Sequence, residues 1–200
     1  MKFRSLFVIL ACSAAMLAPA QSSNSDRAAH ATKILVKVRQ VDLLNQILPL
    51  LMTKKQLEDI LPYIERIRAD HRKTEIMEYD MLVKFEPMLD QAIKDGIEKD
   101  LLPSNDVFKE GIPMFTMFTI RRNSISQENL DGMMTLLEKT LNAGQKKAMT
   151  FAMKPTIVQS GIDPAKMTDI QKQRYFVDYI LLDPAAYELL VKLSQRKPRS

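Results

Sequence analysis

Three long segments of this chain place apolar residues at every third or fourth position, and this spacing restricts the fold more than any other feature. Apolar residues that recur in this way form one stripe along an α-helix, whereas a half-buried strand would alternate apolar and polar residues. The chain also has only 5 Gly among 200 residues, too few for the frequent turns of a β-sandwich or barrel. The sequence therefore predicts an all-α fold.

The stripes predict six helices, which we expect to be long, bent and packed as helical hairpins in a single domain over residues 28–195. A proline inside a helix removes one backbone hydrogen bond, so we expect bends at Pro62 and Pro87. Gly96 is the expected end of the second helix. The predicted bounds are approximately 28–49, 53–95, 106–140, 143–153, 168–182 and 184–194.

The stripe of the second helix is interrupted midway. Around His71, Thr74 and Glu78 it turns polar, so one continuous dry seam along this helix is not expected. Three stripes carry the prediction: Ile34, Val38, Val41, Leu44, Ile47 and Leu51 in the first helix; Leu57, Ile60, Ile64, Ile67, Met81, Phe85, Leu89 and Ile93 in the second; and Phe108, Phe115, Phe118, Ile125, Met133 and Leu136 in the third.

The third helix leaves two alternatives open. Residues 114–120 are rich in Phe and Thr and also fit a strand, although the chain offers no second strand to pair with it. Ser124 and Gln127 have the spacing of a capping box, so a new helix could begin at that point.

The N-terminus has the parts of a secretory signal peptide. Lys2 and Arg4 are basic, residues 6–17 are apolar, and residues 18–20 read Ala-Pro-Ala, a signal-peptidase site. We therefore expect residues 1–20 to be removed and the protein to be secreted into the periplasm of a bacterial cell envelope. Residues 9–12 loosely resemble a lipoprotein cleavage site, which leaves lipidation of Cys12 open as the alternative.

The remaining segments are predicted from composition. Residues 21–27 are polar and serine-rich, which indicates a flexible leader, and residues 196–200 form a basic tail. No stretch reaches the roughly 20 apolar residues that a membrane span requires.

The sequence lacks the parts of common catalytic and metal centres. It has no glycine-rich phosphate loop, nucleophile elbow or His-Glu-x-x-His pattern, and it has one Cys and two His. Paired acids such as Glu75 and Glu78 could do acid–base chemistry, but helix surfaces carry such pairs routinely. We therefore predict no catalytic residues, no cofactor and no metal site, and we expect no nucleic-acid partner for a secreted chain.

Methionine is frequent, with 13 residues. Thioethers bind Cu(I), and Met114–Met117 and Met149–Met153 have helical spacing, so metal binding or metal sensing is the alternative function. Methionine also fills cores and adapts to varied apolar partners. The candidate apolar and basic binding surface consists of Met114, Met117, Arg66, Arg68 and Arg72.

One pattern recurs at three predicted helix starts: a large apolar residue, a capping residue, two spacers and Gln. In a capping box the N-cap side chain accepts a hydrogen bond from the backbone amide of N3, and the side chain of the N3 Gln accepts a hydrogen bond from the backbone amide of the N-cap residue. On this interpretation each Gln satisfies one amide at an exposed helix start. The pairs are Thr53 with Gln56, Asn142 with Gln145, and Thr168 with Gln171.

The same pattern resembles the Leu-Thr-x-x-Gln signature of the Spy/CpxP-like family of periplasmic proteins, with Met52 and Met167 in place of Leu and Asn142 in place of Thr. The family includes an ATP-independent chaperone, an inhibitor of envelope-stress signalling, and relatives that sense or bind metals. The resemblance implies a protein that binds unfolded or partner proteins, as a chaperone or stress modulator. That chaperone is a dimer of bent hairpins, so the resemblance also leaves open the alternative that this protein forms a homodimer.

Overall fold

A computed structural model describes residues 22–151 and 163–196. All regular structure within these residues is helical, which confirms the all-α prediction. Two 3-10 turns, Leu48–Leu50 and Pro164–Lys166, precede α2 and α5, and a π-helical turn, Val177–Leu181, follows α5 directly. The helices are α1 (Ser22–Ile47), α2 (Lys54–Lys99), α3 (Asn105–Thr140), α4 (Ala143–Phe151), α5 (Asp169–Phe176) and α6 (Pro184–Gln195).

Several predicted boundaries need correction. α1 begins at Ser22, inside the stretch that was predicted to be a leader. α2 continues past Gly96 to Lys99 and ends at Asp100, which takes the left-handed conformation (φ 54°) that Asp tolerates better than most residues. α3 is continuous, so the strand at 114–120 and the split at Ser124 are both wrong. The predicted signal peptide, Met153 and residues 197–200 lie outside the described residues.

Three prolines lie inside the long helices without ending them: Pro62 and Pro87 in α2, and Pro113 in α3. The helices continue because each proline removes only one hydrogen bond of the ladder, while the neighbouring turns remain packed. The bends expected at Pro62 and Pro87 stay a prediction.

The chain divides into two units, residues 1–39 and 40–200. In the first unit the described residues belong to α1, and the side chains of Ile34 and Val38 are exposed. In the second unit Leu43, Ile47 and Leu50 are buried and Leu44 packs against the core, so the predicted stripe is confirmed at Leu44 and Ile47 and wrong at Val41 and Leu51, which are exposed. The tighter 3-10 winding after Ile47 turns Leu50 inward, and Leu51 follows in a left-handed conformation (φ 47°), mostly exposed.

The main core of the second unit lies between the first half of α2, the last turns of α3, the π-helical turn and α6. Burial of these apolar side chains provides most of the driving force for folding. Its fully buried large side chains include Leu57, Ile60, Met133, Phe176, Ile180 and Leu190.

α2 and α3 form an antiparallel hairpin, as their paired residues show. Tyr63 of α2 lies beside Gly132 of α3, and Phe85 lies beside Gly111, so numbers fall along α3 as they rise along α2. A Cβ at Gly132 would lie 1.7 Å from the Tyr63 hydroxyl, so only glycine permits this close approach. The hairpin predicted from the stripes is therefore present.

The hairpin extends beyond the main core as an arm, formed by residues 71–99 of α2 and 105–126 of α3. A small second core holds it together, made of Phe85, Met114 and Phe118 with Met81, Met88 and Val107 partly buried around them. Buried Thr74 and Glu78 lie between the two cores. The expected interruption of the dry seam is confirmed.

Candidate functional site

The first two copies of the recurring motif lie against each other. Thr53 and Gln56 form a capping box at the start of α2, and Asn142 and Gln145 exchange the same pair of hydrogen bonds at the start of α4. The two Gln carboxamides then pair directly: each Nε2 donates to the other Oε1 at 2.9 Å. Two helix starts that are far apart in sequence are thereby joined.

Each carboxamide of this pair has all its hydrogen-bonding positions filled. The second N–H of Gln56 donates to the Thr140 carbonyl (2.8 Å), and that of Gln145 donates to the Leu50 carbonyl (3.0 Å). Both carbonyls end a helical element and lack a partner in the helical ladder. With two donors and two acceptor positions occupied on each Gln, the pair is a structural lock and has no free group to bind a ligand.

The third copy is a capping box alone. Thr168 accepts from the Gln171 amide, and Gln171 Oε1 accepts from the Thr168 amide at 2.8 Å. The Gln171 side chain is exposed and makes no hydrogen bond to another helix in the part of the chain that the structure describes. The capping interpretation is therefore confirmed for all three copies, but it is incomplete for the first two.

The five residues predicted as a binding surface lie in two separate parts of the hairpin. Met114 is buried in the second core, whereas Met117 is partly exposed three residues away. Arg66, Arg68 and Arg72 lie nearer the main core, before the arm begins or at its base. The sequence gives no distance between the methionines and the arginines. In the folded hairpin the arginines lie near the main core, whereas the methionines lie on the arm.

The arginine cluster is used within the fold. The Arg66 guanidinium lies over the Tyr63 ring at 4.2 Å, and Arg68 lies over the Tyr187 ring of α6 at 4.1 Å. A hydrogen bond from Tyr187, with help from Arg72, lowers the pKa of Glu65. Arg68, together with the Tyr187–Glu65 hydrogen bond, therefore helps to join α2 and α6, whereas the contacts of Arg66 and Arg72 lie within α2.

One flank of the arm carries exposed apolar side chains from both helices. Each of them directly follows a residue of the seam between the helices, such as Leu82 after Met81 and Phe115 after Met114. The seam residues are all buried or half-buried: Thr74, Glu78, Met81, Phe85, Met88 and Ala92 of α2, and Val107, Gly111, Met114, Phe118 and Ile125 of α3. Antiparallel helices are related by a twofold axis perpendicular to both, so one step of 100° beyond the seam points to the same flank on each. This apolar flank consists of Leu82, Leu89, Ile93, Phe108, Ile112 and Phe115, which are 37–63% exposed.

The opposite flank of the arm is mostly polar. The residues that precede the seam residues point to it, and most of them are exposed and polar or charged. They include Asp80, Lys84, Gln91, Asp106 and Glu110. Six exposed apolar residues of the arm are therefore grouped on one flank, as in a surface that binds another apolar group, although Ile76, Val83 and Ile120 are also exposed on the side away from the partner helix.

A pocket of about 330 Å³ lies at the base of the arm; its walls are mostly polar residues, although the atoms they expose to it are mainly apolar. Glu75 and Ser126 directly follow the seam residues Thr74 and Ile125, so the pocket opens on the same side as the apolar flank. Its walls are His71, Thr74, Glu75, Arg122, Asn123, Ile125 and Ser126.

An ion pair between a buried carboxylate and an exposed guanidinium lies beside this pocket. The Glu78 side chain is only 3% exposed, and the Arg122 side chain, 64% exposed, covers it. Arg122 Nε donates to both Glu78 carboxylate oxygens at 2.8 and 3.0 Å, and its Nη2 also donates to Oε2. This hydrogen bonding to Glu78 raises the pKa of Arg122. The sequence pattern marks Glu78 as part of the polar interruption in the stripe of α2, but it gives no signal for Arg122.

Two further structural findings concern the described residues only. Across 22–151 and 163–196, no three His, Cys, Asp or Glu side chains converge as a metal-ligand group. None of the helices that the structure describes combines the length and the apolarity needed to cross a membrane.

Comparison of the chain with protein-family models, with curated proteins and with solved structures gives no match.

Proposed function

We propose that this chain is an exported, non-catalytic protein of the bacterial cell envelope that binds unfolded or partner polypeptides on the apolar flank of its arm. The observation that carries the proposal is the segregation of six exposed apolar side chains on one flank. Such a flank gains free energy when an apolar partner removes it from water. The resemblance of the three motifs to the Spy/CpxP-like signature supports the same class of function.

The dimensions of the flank suit a polypeptide segment. From Leu82 to Ile93 the α2 side of the flank extends about 16 Å at 1.5 Å per residue. An extended chain rises about 3.3 Å per residue, so about five residues of a client would cover it. A narrow, open strip of this length favours apolar segments of many sequences, because it imposes no enclosed shape on them.

The proposal predicts that polar substitutions on the flank abolish holding activity. We expect the variant Ile93→Gln, Phe108→Gln, Ile112→Gln to require at least about tenfold more protein to suppress aggregation of urea-denatured α-lactalbumin. Loss of three apolar contacts exceeds the roughly 1.4 kcal/mol that a tenfold change represents. Light scattering after dilution of the client measures the suppression.

A matched control separates the flank from general surface hydrophobicity. Ile76, Val83 and Ile120 are also exposed, but each lies two residues after a seam residue and so points away from the partner helix. The variant Ile76→Gln, Val83→Gln, Ile120→Gln is expected to suppress aggregation as the unmodified protein does. Equal losses in the two variants, or no suppression by the unmodified protein, would contradict the proposal.

The proposed export has its own test. The Ala-Pro-Ala sequence at residues 18–20 predicts cleavage before Gln21. We expect the intact mass of protein recovered from the exported fraction to correspond to residues 21–200. A mass corresponding to a lipidated chain that begins at Cys12 would contradict this prediction.

A further inference from the structure

We propose that the pocket at the base of the arm receives the positively charged end of a lysine or arginine side chain from the segment bound on the apolar flank. This inference rests on the proposed function and adds a specificity to it. It predicts that the protein prefers segments in which a basic residue lies a short distance from an apolar run.

The charge of the pocket favours a cation. The Glu75 carboxylate has no hydrogen bond or ion pair with any residue that the structure describes, but its charge, after that of Glu78, contributes to raising the pKa of Arg122. Glu78 is not one of the pocket walls, but it neutralises Arg122, so Glu75 is the charged wall residue without an ion-pair partner. An anion could reach the N–H groups of Arg122 that Glu78 leaves unused, but on a guanidinium whose charge is already neutralised, whereas a cation meets a carboxylate that has no such partner.

The neutral groups of the pocket suit the same ligand. Asn123 and Ser126 line it, and their oxygens can accept hydrogen bonds from an ammonium or a guanidinium group. Both groups carry several donors, so they can contact Glu75 and these oxygens together. A cavity of about 330 Å³ is large enough for the end of one such side chain.

The position of the pocket relative to the flank sets the spacing. Glu75 and Leu82 are seven residues apart on α2, about 10 Å along the helix. This distance corresponds to about three residues of an extended peptide. Tyr79 lies between them on the same flank, one residue after Glu78, and its exposed ring can pack against the aliphatic stem of the entering side chain.

The remainder of the flank gives no competing cation site of the same kind. Among the described residues that directly follow the seam, Glu86 is the other acid, and it follows Phe85 in the middle of the apolar flank. It is outside the pocket walls and therefore provides a control for diffuse electrostatic attraction.

The test uses fluorescent peptides with blocked termini that share a five-residue apolar run and differ in one residue placed three positions away. That residue is Arg, its uncharged isostere citrulline, or Glu, and each set is made with the residue on the N-terminal and on the C-terminal side of the run. For the full chain we expect the Arg peptide of at least one orientation to bind about five- to tenfold more tightly than the citrulline peptide. Fluorescence anisotropy measures the dissociation constants.

Substitution then locates the preference. Glu75→Gln is expected to equalise the Arg and citrulline peptides while leaving citrulline binding unchanged, and Glu86→Gln is expected to keep most of the preference. Equal binding of all three peptides to the unmodified protein, tighter binding of the Glu peptide, or equal effects of the two substitutions would overturn the inference and leave the proposed function standing. Binding of none of the peptides would instead contradict the proposed function itself.

Discussion

Replacing Gln145 with alanine is expected to lower the free energy of unfolding by roughly 2–4 kcal/mol. The residue is only 8% exposed, and its carboxamide serves the Asn142 amide, the Leu50 carbonyl and both polar atoms of Gln56. Truncation would leave several of these groups without partners in a place that water reaches poorly. Urea denaturation followed by far-ultraviolet circular dichroism measures the loss.

The third motif provides the matched control. Gln171→Ala removes the same side chain from the same kind of box, but Gln171 is exposed and its amide nitrogen joins no second helix among the described residues. We expect a cost below about 1 kcal/mol, in the range of a simple cap. Similar costs at Gln145 and Gln171 would show that the carboxamide pair adds nothing to capping.

The carboxamide pair also changes which substitution in the first capping box is expected to cost more stability. If Gln56 satisfied only the Thr53 amide, Gln56→Ala would cost less than Thr53→Ala. Because Gln56 also donates to Gln145 and to Thr140, we expect it to cost more. Gln56→Ala and Gln145→Ala should then be strongly non-additive, since the second substitution removes a partner that the first has already orphaned.

The sequence was sufficient to predict the capping boxes because their hydrogen bonds join residues three positions apart. The pairing of Gln56 with Gln145 could not be predicted from it, since 89 positions separate them and only the folded hairpin brings the two helix starts together. The third motif shows why the local sequence pattern could not predict whether a motif Gln pairs with another helix. It has the same local pattern and the same local structure, yet its tertiary surroundings differ.

The apolar stripes predicted the helices but assigned some of their residues to the wrong environment. Leu89, Ile93, Phe108 and Phe115 were counted with the core because they fit helical spacing, yet they lie one step beyond the seam. In the arm only two helices are packed together, so a broad stripe exceeds what one seam can bury. The sequence does contain a sign of the exposed flank. Apolar residues of the arm occur at consecutive positions, such as Met81–Leu82 and Met114–Phe115, which makes the stripe wider than a single two-helix seam can bury.

The lock and the flank are connected through the hairpin. The carboxamide pair fixes the start of α2 to the end of α3, the two ends of the hairpin opposite the loop that joins them. The arm beyond the main core is held by a small apolar cluster and by the Glu78–Arg122 pair. Since the flank exists only while α2 and α3 keep their phase, the proposed binding depends on these two polar arrangements as well as on the apolar residues.

Replacing Arg122 with methionine is accordingly expected to destabilise the protein by about 2–4 kcal/mol, because it leaves a buried carboxylate without its partner. The estimate lies below that for a fully buried pair because Arg122 is 64% exposed while Glu78 is 3% exposed. The same asymmetry predicts that Glu78→Leu alone costs less than about 1 kcal/mol, since the freed guanidinium can turn into water. Urea denaturation measures both variants.

The double variant Glu78→Leu, Arg122→Met completes the cycle. With both charges replaced by apolar groups of similar size, no carboxylate is left buried, and most of the stability lost in Arg122→Met should return. Recovery in the double variant, together with the unequal single costs, would show that Arg122 acts by neutralising Glu78. If the double variant is as unstable as Arg122→Met, the loss comes instead from packing of the arginine stem against the arm.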